Sequence, residues 1–297
     1  MEDYRKYLDP KTLNKVGRLD LKARLIVEGY ISGLHKSPFH GFSVEFAEHR
    51  EYTPGDDIRH IDWKVFGRTD RFYIKQYEEE TNLVAHVVLD VSESMNFGDD
   101  GVSKLEYGQM VAAALAYLII QQQDAAGLIM FDDAVRANLP PRSHGSHLQA
   151  IFHTLSQTEA NEKTDVGRVL DEVAQTIQKR GLVILISDLF DDPDRVLAGL
   201  QHLVHRRHDV IVFHVMDDAE LNFPFERMTR FDGLESQGDL VVNPRSLREG
   251  YLKEVENFRR KIQRGCTAHR IDYVLLNTAT PLDVALSSYL AKRAGSL

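Results

Sequence analysis

LVAHVVLDVSESM, residues 83–95, begins as a nearly continuous apolar run, Leu83 to Val91, and ends in a cluster of oxygen-bearing side chains, Asp90, Ser92 and Ser94. An apolar run of strand length without polar alternation is what a strand covered on both faces requires. Its terminal polar groups must then emerge at the carboxyl edge of a sheet. Working downstream, residues 103–121 read as a helix whose AAALAYLII stretch is apolar on most sides and therefore deeply packed. Ala125 to Phe131 and Ala134 to Leu139 read as strands, the latter stopping before Pro140-Pro141. Helices are expected at about 146–156 and 166–179, a buried strand at Leu182 to Ser187, and a helix from Pro193 to Arg206. A strand at Val210 to Val215 follows, then an irregular stretch at 217–244 and a charged helix at about 246–264. Strand Ile271 to Leu276 and a helix starting at Pro281 end the chain. Strands separated by helices imply a parallel sheet with helices on both faces, a three-layer α/β/α, Rossmann-like arrangement.

Upstream of Leu83 the character changes. Residues 11–33 place Leu13, Val16, Leu19, Leu21, Leu25 and Ile26 at helical spacing, and Gly33 is a natural stop. Phe42, Val44 and Phe46 alternate with polar residues as on a half-buried strand, and Phe72, Ile74 and Gln76 form a second one. Between them Thr53-Pro54-Gly55-Asp56-Asp57 is a turn that caps a short helix through Trp63. The expected division is an N-terminal helix and β-hairpin appendage over residues 1–80 and an α/β domain over 81–297.

Composition narrows the function classes. At 297 residues the chain can bury one substantial core plus an appendage. No segment approaches the ~18 uncharged apolar residues of a membrane span, and the N-terminal MEDYRKYLDPK lacks the apolar core of a signal peptide, so a cytoplasmic protein is expected. The single cysteine, Cys266, excludes an internal disulfide. The net charge of −9 is concentrated in residues 83–191, which hold 7 basic and 15 acidic side chains. Such a field favours cations and disfavours nucleic acid.

Three segments of that acidic region converge on one edge of the sheet. Strand one delivers Asp90, Ser92 and Ser94; the strand ending Ile186-Ser187 delivers Asp188; and Thr164 precedes the helix that starts at Val166. All five offer oxygen, a donor set for a hard divalent cation, Mg²⁺ first, with Mn²⁺ or Ca²⁺ as alternatives. The plainer reading is that Ser and Asp at strand ends cap the following helix; it suits each residue singly better than all five together. Other chemistries find less support. His144 and His147, or His202, His205 and His208, have helical ligand spacing but no cysteine or acidic partner in a zinc pattern. Neither a Gly-x-Ser-x-Gly elbow nor a P-loop occurs. Asp132-Asp133 reads as a turn and Asp99-Asp100 as a loop feature.

Asp-x-Ser-x-Ser, a later Thr and a later Asp, here Asp90, Ser92, Ser94, Thr164 and Asp188, resembles the metal-ion-dependent adhesion site of von Willebrand factor A domains. The resemblance covers roughly residues 80–297. It implies that Ser92, Ser94 and Thr164 bind metal directly or through water, that Asp90 and Asp188 bind directly or as outer acceptors, and that a protein partner's carboxylate completes the coordination. A second resemblance rests on EFAEHREYTPGDDIRHIDWKVFGRTDRFYIKQYEEE, residues 45–80, running straight into the first strand. It is similar to the bacterial proteins grouped as domain of unknown function 58; Gly67 departs from the alanine expected there. Members are typically encoded beside MoxR-type AAA+ ATPases, which implies a non-enzymatic adaptor or co-chaperone. Many relatives carry membrane spans ahead of this segment, and this chain shows none. Asp56, Asp57, Arg59, Asp62 and Arg68, with Trp63, would fasten the segment to the domain, or else form a docking surface; fastening is preferred. Two rivals stand: a Mg²⁺-dependent phosphohydrolase using Asp90, and a degenerate structural scaffold. Against the phosphohydrolase count Ser92, where a second aspartate is required, and the expected absence of a lysine at the site.

Overall fold

The computed structural model describes residues 10–14, 16–34, 49–51, 73–75, 83–98, 101–158, 165–231, 240–283 and 286–287. Its central element is a six-stranded sheet in the order β10-β7-β6-β3-β4-β5. These strands are β3 (Val84–Asp90), β4 (Ala125–Phe131), β5 (Val135–Arg142), β6 (Leu182–Ser187), β7 (Asp209–Met216) and β10 (Asp272–Asn277). The apolar run Leu83–Val91 contains β3, at the centre, flanked by β4 and β6 in parallel register, Leu89 opposite both Met130 and Ile186.

Side-chain alternation explains why that run carries almost no polar residue. Ala85, Val87 and Leu89 face one core with Ile184 and Ile186; Val88 faces the other with Val183, Leu185, Val210 and Val212. The first core is roofed by α2 (Leu19–Leu34), α3 (Lys104–Gln121) and α4 (Gly145–Ser156). The second is roofed by α5 (Val166–Thr176), α6 (Pro193–His205) and α8 (Pro244–Ala268). Three layers result, as the pattern requires. Each fully buried Val, Leu or Ile contributes roughly 1.5–3 kcal/mol, so both faces of the sheet are strongly held. Helices α5 and α6 pack closely because Gly199 has no side chain: a Cβ there would lie 2.8 Å from Leu170 Cβ and 2.9 Å from the Gly167 carbonyl oxygen.

Several boundaries differ from expectation, each for a physical reason. The strand expected to stop at Leu139 continues through Pro140 and Pro141 to Arg142, and it runs antiparallel to β4. It is an edge strand with alternating exposure, and its register against β4 shifts between Leu139 and Arg142, so the two prolines fall at a ladder irregularity opposite Gly127. The helix expected to reach 179 stops at Thr176, because Ile177 turns extended. The charged helix is longer than expected, with Asn243 capping it and Pro244 in its first turn. The irregular stretch holds a short helix, α7 (Asp218–Asn222), and an antiparallel ladder of β8 (Thr229–Phe231) with β9 (Leu240–Val242).

The N-terminal division also falls elsewhere. Residues 1–34 and 83–297 form one compact unit, and residues 35–82 form a second. The single helix expected over 11–33 is two, α1 (Pro10–Asn14) and α2, and its buried face is the expected one at Leu13, Leu19 and Ile26 but not at Leu21 and Leu25. Leu13, Ala23, Ile26 and Val27 are buried in the first core, whereas Leu21 and Leu25 are exposed. In the second unit, β1 (His49–Glu51) pairs antiparallel with β2 (Tyr73–Lys75), Arg50 opposite Ile74. Phe42, Val44 and Phe46, the Thr53–Trp63 turn and helix, Arg68 and most of the segment after Asp283 lie outside the described residues.

Candidate metal centre at the carboxyl edge of the sheet

Chain order reverses at β3 and β6: from β3 the chain moves to β4 and β5 on one side, and from β6 to β7 and β10 on the other. A crevice opens at the carboxyl ends of strands where such a switch occurs. Asp90 ends β3, and Ser187-Asp188 ends β6 beside it. Asp90, Ser92, Ser94 and Asp188 are all buried, none more than 5% exposed.

Asp90 is held by neutral donors. Its Oδ1 accepts the Ser92 backbone N–H at 3.0 Å, and its Oδ2 accepts the Ser187 hydroxyl at 2.6 Å. Ser187 Oγ in turn accepts the Leu189 N–H at 2.8 Å, which fixes the start of the loop after β6. Burial, and then the nearby Asp188 charge, push the Asp90 carboxyl up to about 7. Ser92 precedes the 3-10 turn Glu93–Asn96 but makes no side-chain cap. Its hydroxyl lies 3.1 Å from that of Ser94. Helix capping accounts for Ser103, Asp165 and Asp192, which each accept from the turn they precede, and does not account for Ser92.

Asp188 has a charged partner. Lys104 Nζ donates to its Oδ2 at 2.7 Å and to Glu220 Oε1 at 2.8 Å. Asp188 Oδ1 accepts the Phe190 N–H at 3.2 Å. Burial acts to raise the Asp188 carboxyl, yet the Lys104 charge and hydrogen bond, with the Phe190 amide and Ser94, bring it below the usual carboxylate value. Lys104 is itself held above its usual value: burial opposes its charge, and Asp188 and Glu220 overcome that. Burial raises Glu220 despite Lys104. Glu220 also caps α7, its Oε2 accepting the Asp217 N–H at 2.8 Å. A lysine at the first position of α3 opposes the helix dipole, so its placement is owed to these two carboxylates.

The expectation that no lysine reaches the site is thus corrected. Lys104 was hidden in the sequence as the first residue of an apolar helix, behind the Ser103 and Glu106 capping box. Ser187 adjoined an aspartate already singled out, and only the register of β3 against β6 shows its hydroxyl reaching Asp90. Glu220 came from a stretch read as irregular.

The donor set fits a hard cation: two carboxylates, one of them disfavoured as an anion, and two adjacent hydroxyls converge without sulfur or imidazole. Among the described residues no three His, Cys, Asp or Glu side chains gather for a metal. Thr164 lies outside the described residues, as do Asp99 and Asp100. The next residue, Asp165, caps α5 through Arg168 N and pairs with Arg195 at 2.8 Å. Asp132 forms the turn after β4, accepting the Ala134 N–H and paired with Arg136. Of the histidines weighed as ligands, His147 bonds the Ala126 carbonyl and His202 pairs with Asp171.

Residues 48–261 match the family described as protein of unknown function DUF58. The chain belongs to the DUF58 family. The DUF58 region includes the PGDDIRHIDW segment and all five residues of the Asp-x-Ser-x-Ser, Thr, Asp set. The uncharacterised protein Rv1480 of Mycobacterium tuberculosis is 26% identical over 270 residues, 89% of this chain and 80% of that one. Among solved structures, the conserved hypothetical protein BatB of Bacteroides thetaiotaomicron aligns with TM-score 0.50 and 17% identity, over 72% of this chain and 99% of that one. An aerotolerance-related membrane protein of Bacteroides fragilis aligns at 0.48 and 16%, over 72% and 100%. The VWA domain of SpRpn10 aligns at 0.37 and 13%, over 69% and 94%. At such identity the likeness to BatB is one of fold alone, and the fold of this DUF58 protein is the three-layer α/β/α, Rossmann-like arrangement described above. Among the described residues no helix is long and apolar enough to cross a membrane.

Proposed function

We propose that this DUF58 protein is a non-enzymatic, cation-dependent protein-interaction module, an adaptor or co-chaperone of a MoxR-type AAA+ ATPase. The observation that carries the cation-dependent part is the pair of buried hydroxyls, Ser92 and Ser94, 3.1 Å apart beside two carboxylates at the switch point of the sheet. A bound divalent cation, Mg²⁺ before Mn²⁺ or Ca²⁺, would supply positive charge and an open position for an acidic side chain of the partner. Asp90 orients the Ser92 backbone; Ser92, Ser94 and Asp188 present oxygen; Thr164 completes the set. The ATPase partnership rests on the family resemblance alone. The non-enzymatic reading is supported by Ser92, which stands where a phosphatase with an aspartate nucleophile requires a second aspartate.

The test is capture from native lysate on tagged wild type and an Asp90→Ala/Ser92→Ala variant, each with Mg²⁺ and with EDTA. An AAA+ ATPase identified by mass spectrometry only with intact site and metal is the expected outcome. Equal capture in all four lanes refutes the metal-bridged reading. Mg²⁺-dependent turnover of phosphate esters, lost in Asp90→Asn, refutes the non-enzymatic one.

A further inference from the structure

We infer that Lys104 is an internal cation that competes with a divalent metal for Asp188, keeping the metal affinity of the isolated protein low. The inference rests on the cation-dependent reading above and specifies how that site is controlled. Both Asp188 oxygens already accept a hydrogen bond: Oδ1 takes the Phe190 amide, and Oδ2 takes Lys104 Nζ at 2.7 Å. A metal ligated by Asp188 must therefore share the carboxylate with the ammonium, like charge beside like charge, or displace it. Lys104 is almost fully buried, so water does not screen its charge from an incoming cation. The chain also provides a second seat. Glu220 Oε1 already accepts from the same nitrogen at 2.8 Å, and it sits on α7, a segment that contributes none of the proposed metal oxygens. Lys104 can give up Asp188 and remain paired with Glu220.

Phe97 reinforces the arrangement from the other side, its ring centroid 5.8 Å from Lys104 Nζ. Phe97 follows the turn that carries Ser94, and its carbonyl accepts the Lys104 backbone N–H at 2.9 Å. The serine loop and the lysine are therefore mechanically joined. A partner whose carboxylate adds negative charge to the site would favour metal over ammonium, so partner and metal bind together more strongly than either alone.

The experiment is titration of the full chain with Mg²⁺ by calorimetry and with Mn²⁺ by electron paramagnetic resonance, for wild type and Lys104→Met. Because Lys104→Met leaves two buried carboxylates bare, Lys104→Met/Glu220→Gln is carried in parallel as a variant with one fewer unpaired charge. Removing one buried unit charge at a ligand oxygen is expected to tighten metal binding roughly tenfold or more in either variant. Mg²⁺ should also raise the melting temperature of Lys104→Met more than that of wild type. Equal affinity in wild type and variants, or weaker affinity in the variants, overturns the role of Lys104 and leaves the cation-dependent interaction standing. Absence of binding in every protein overturns both.

Discussion

Asp90 and Asp188 end neighbouring strands of one sheet, both are buried, and the fold treats their charges in opposite ways. Asp188 is given a full positive charge at 2.7 Å, whereas Asp90 is given one hydroxyl and one amide. The consequence is visible in their acidities. Asp188 is drawn below the usual carboxylate value and Asp90 is pushed up to about 7. One half of the edge is electrostatically satisfied and the other is held ready for a charge it lacks. Two neutralised carboxylates would make a stable and inert edge, and two bare ones would repel each other. The asymmetry places the unmet demand for positive charge beside Ser92 and Ser94.

The hardest blow to this contrast is removal of the satisfied half. Lys104→Met should destabilise the metal-free protein by about 3–5 kcal/mol in urea unfolding, because it strands buried carboxylates. A loss under ~1 kcal/mol would mean that Asp188 does not depend on Lys104, and the contrast would collapse.

A second measurement uses acid. His214 lies on β7 opposite Ser187 in register, its Nδ1 within 2.7 Å of the Tyr273 hydroxyl. Burial pushes its imidazole down to about 4, against the Asp188 charge that would raise it. Burial, and then His208, likewise lower His86 to about 4. A depressed folded value means that the neutral ring stabilises the fold above the unfolded value near 6.5 and that this is lost as pH falls toward 4. Each imidazole accounts for about 3 kcal/mol over that window. His214→Phe should flatten the acid slope of stability measured between pH 7 and 4.5; an unchanged slope would remove His214 from the account.

Much of this was legible beforehand, and the parts that were not share a cause. The first strand buried on both faces, the alternation of strands with helices and the position of Asp90 and Asp188 at the carboxyl edge follow from apolar runs whose length and lack of alternation are local properties; the strand order in the sheet was not legible. Antiparallel β5 was not legible, because an edge strand with two prolines reads as a stop until its position in the sheet is known. The face of α2 was legible at Leu19 and Ile26 and misread at Leu21 and Leu25, which are exposed while Ala23 and Val27 are buried. Lys104 and Glu220, 116 residues apart, meet only after folding, and neither carries a local signal of the meeting. Ser187 is an intermediate case: its position was visible, its bond was not.

The neutral half can be probed at that residue. Ser187→Ala takes from Asp90 its 2.6 Å donor and from Leu189 N–H its 2.8 Å acceptor. Leaving two buried polar groups unmatched should cost about 2 kcal/mol. The Asp90 carboxyl should rise further in the same variant, since it loses a bond that favours its charged form. Stability equal to wild type would mean that the hydroxyl is not what holds Asp90.

The smallest effect is also the most discriminating, because its sign changes with pH. The folded value of Asp90, about 7, lies above the ordinary 3.8. Its contribution is therefore fully present below the unfolded value and is lost as pH rises through 7. Near pH 5 the buried group is a neutral acid, and Asp90→Asn replaces one neutral polar group by another of the same shape. The variant should then be less stable than wild type by only about 1 kcal/mol, the cost of a rearranged hydrogen bond. As pH rises to 8 the wild type acquires a buried anion and the variant does not, so the difference should shrink and reverse in metal-free protein. Saturating Mg²⁺ should abolish the reversal by stabilising wild type alone, by about 2.7 kcal/mol at a hundredfold excess over the dissociation constant. A difference that stays constant from pH 5 to 8 would mean that Asp90 is as well satisfied as Asp188, and the demand for an external cation at this edge would be gone.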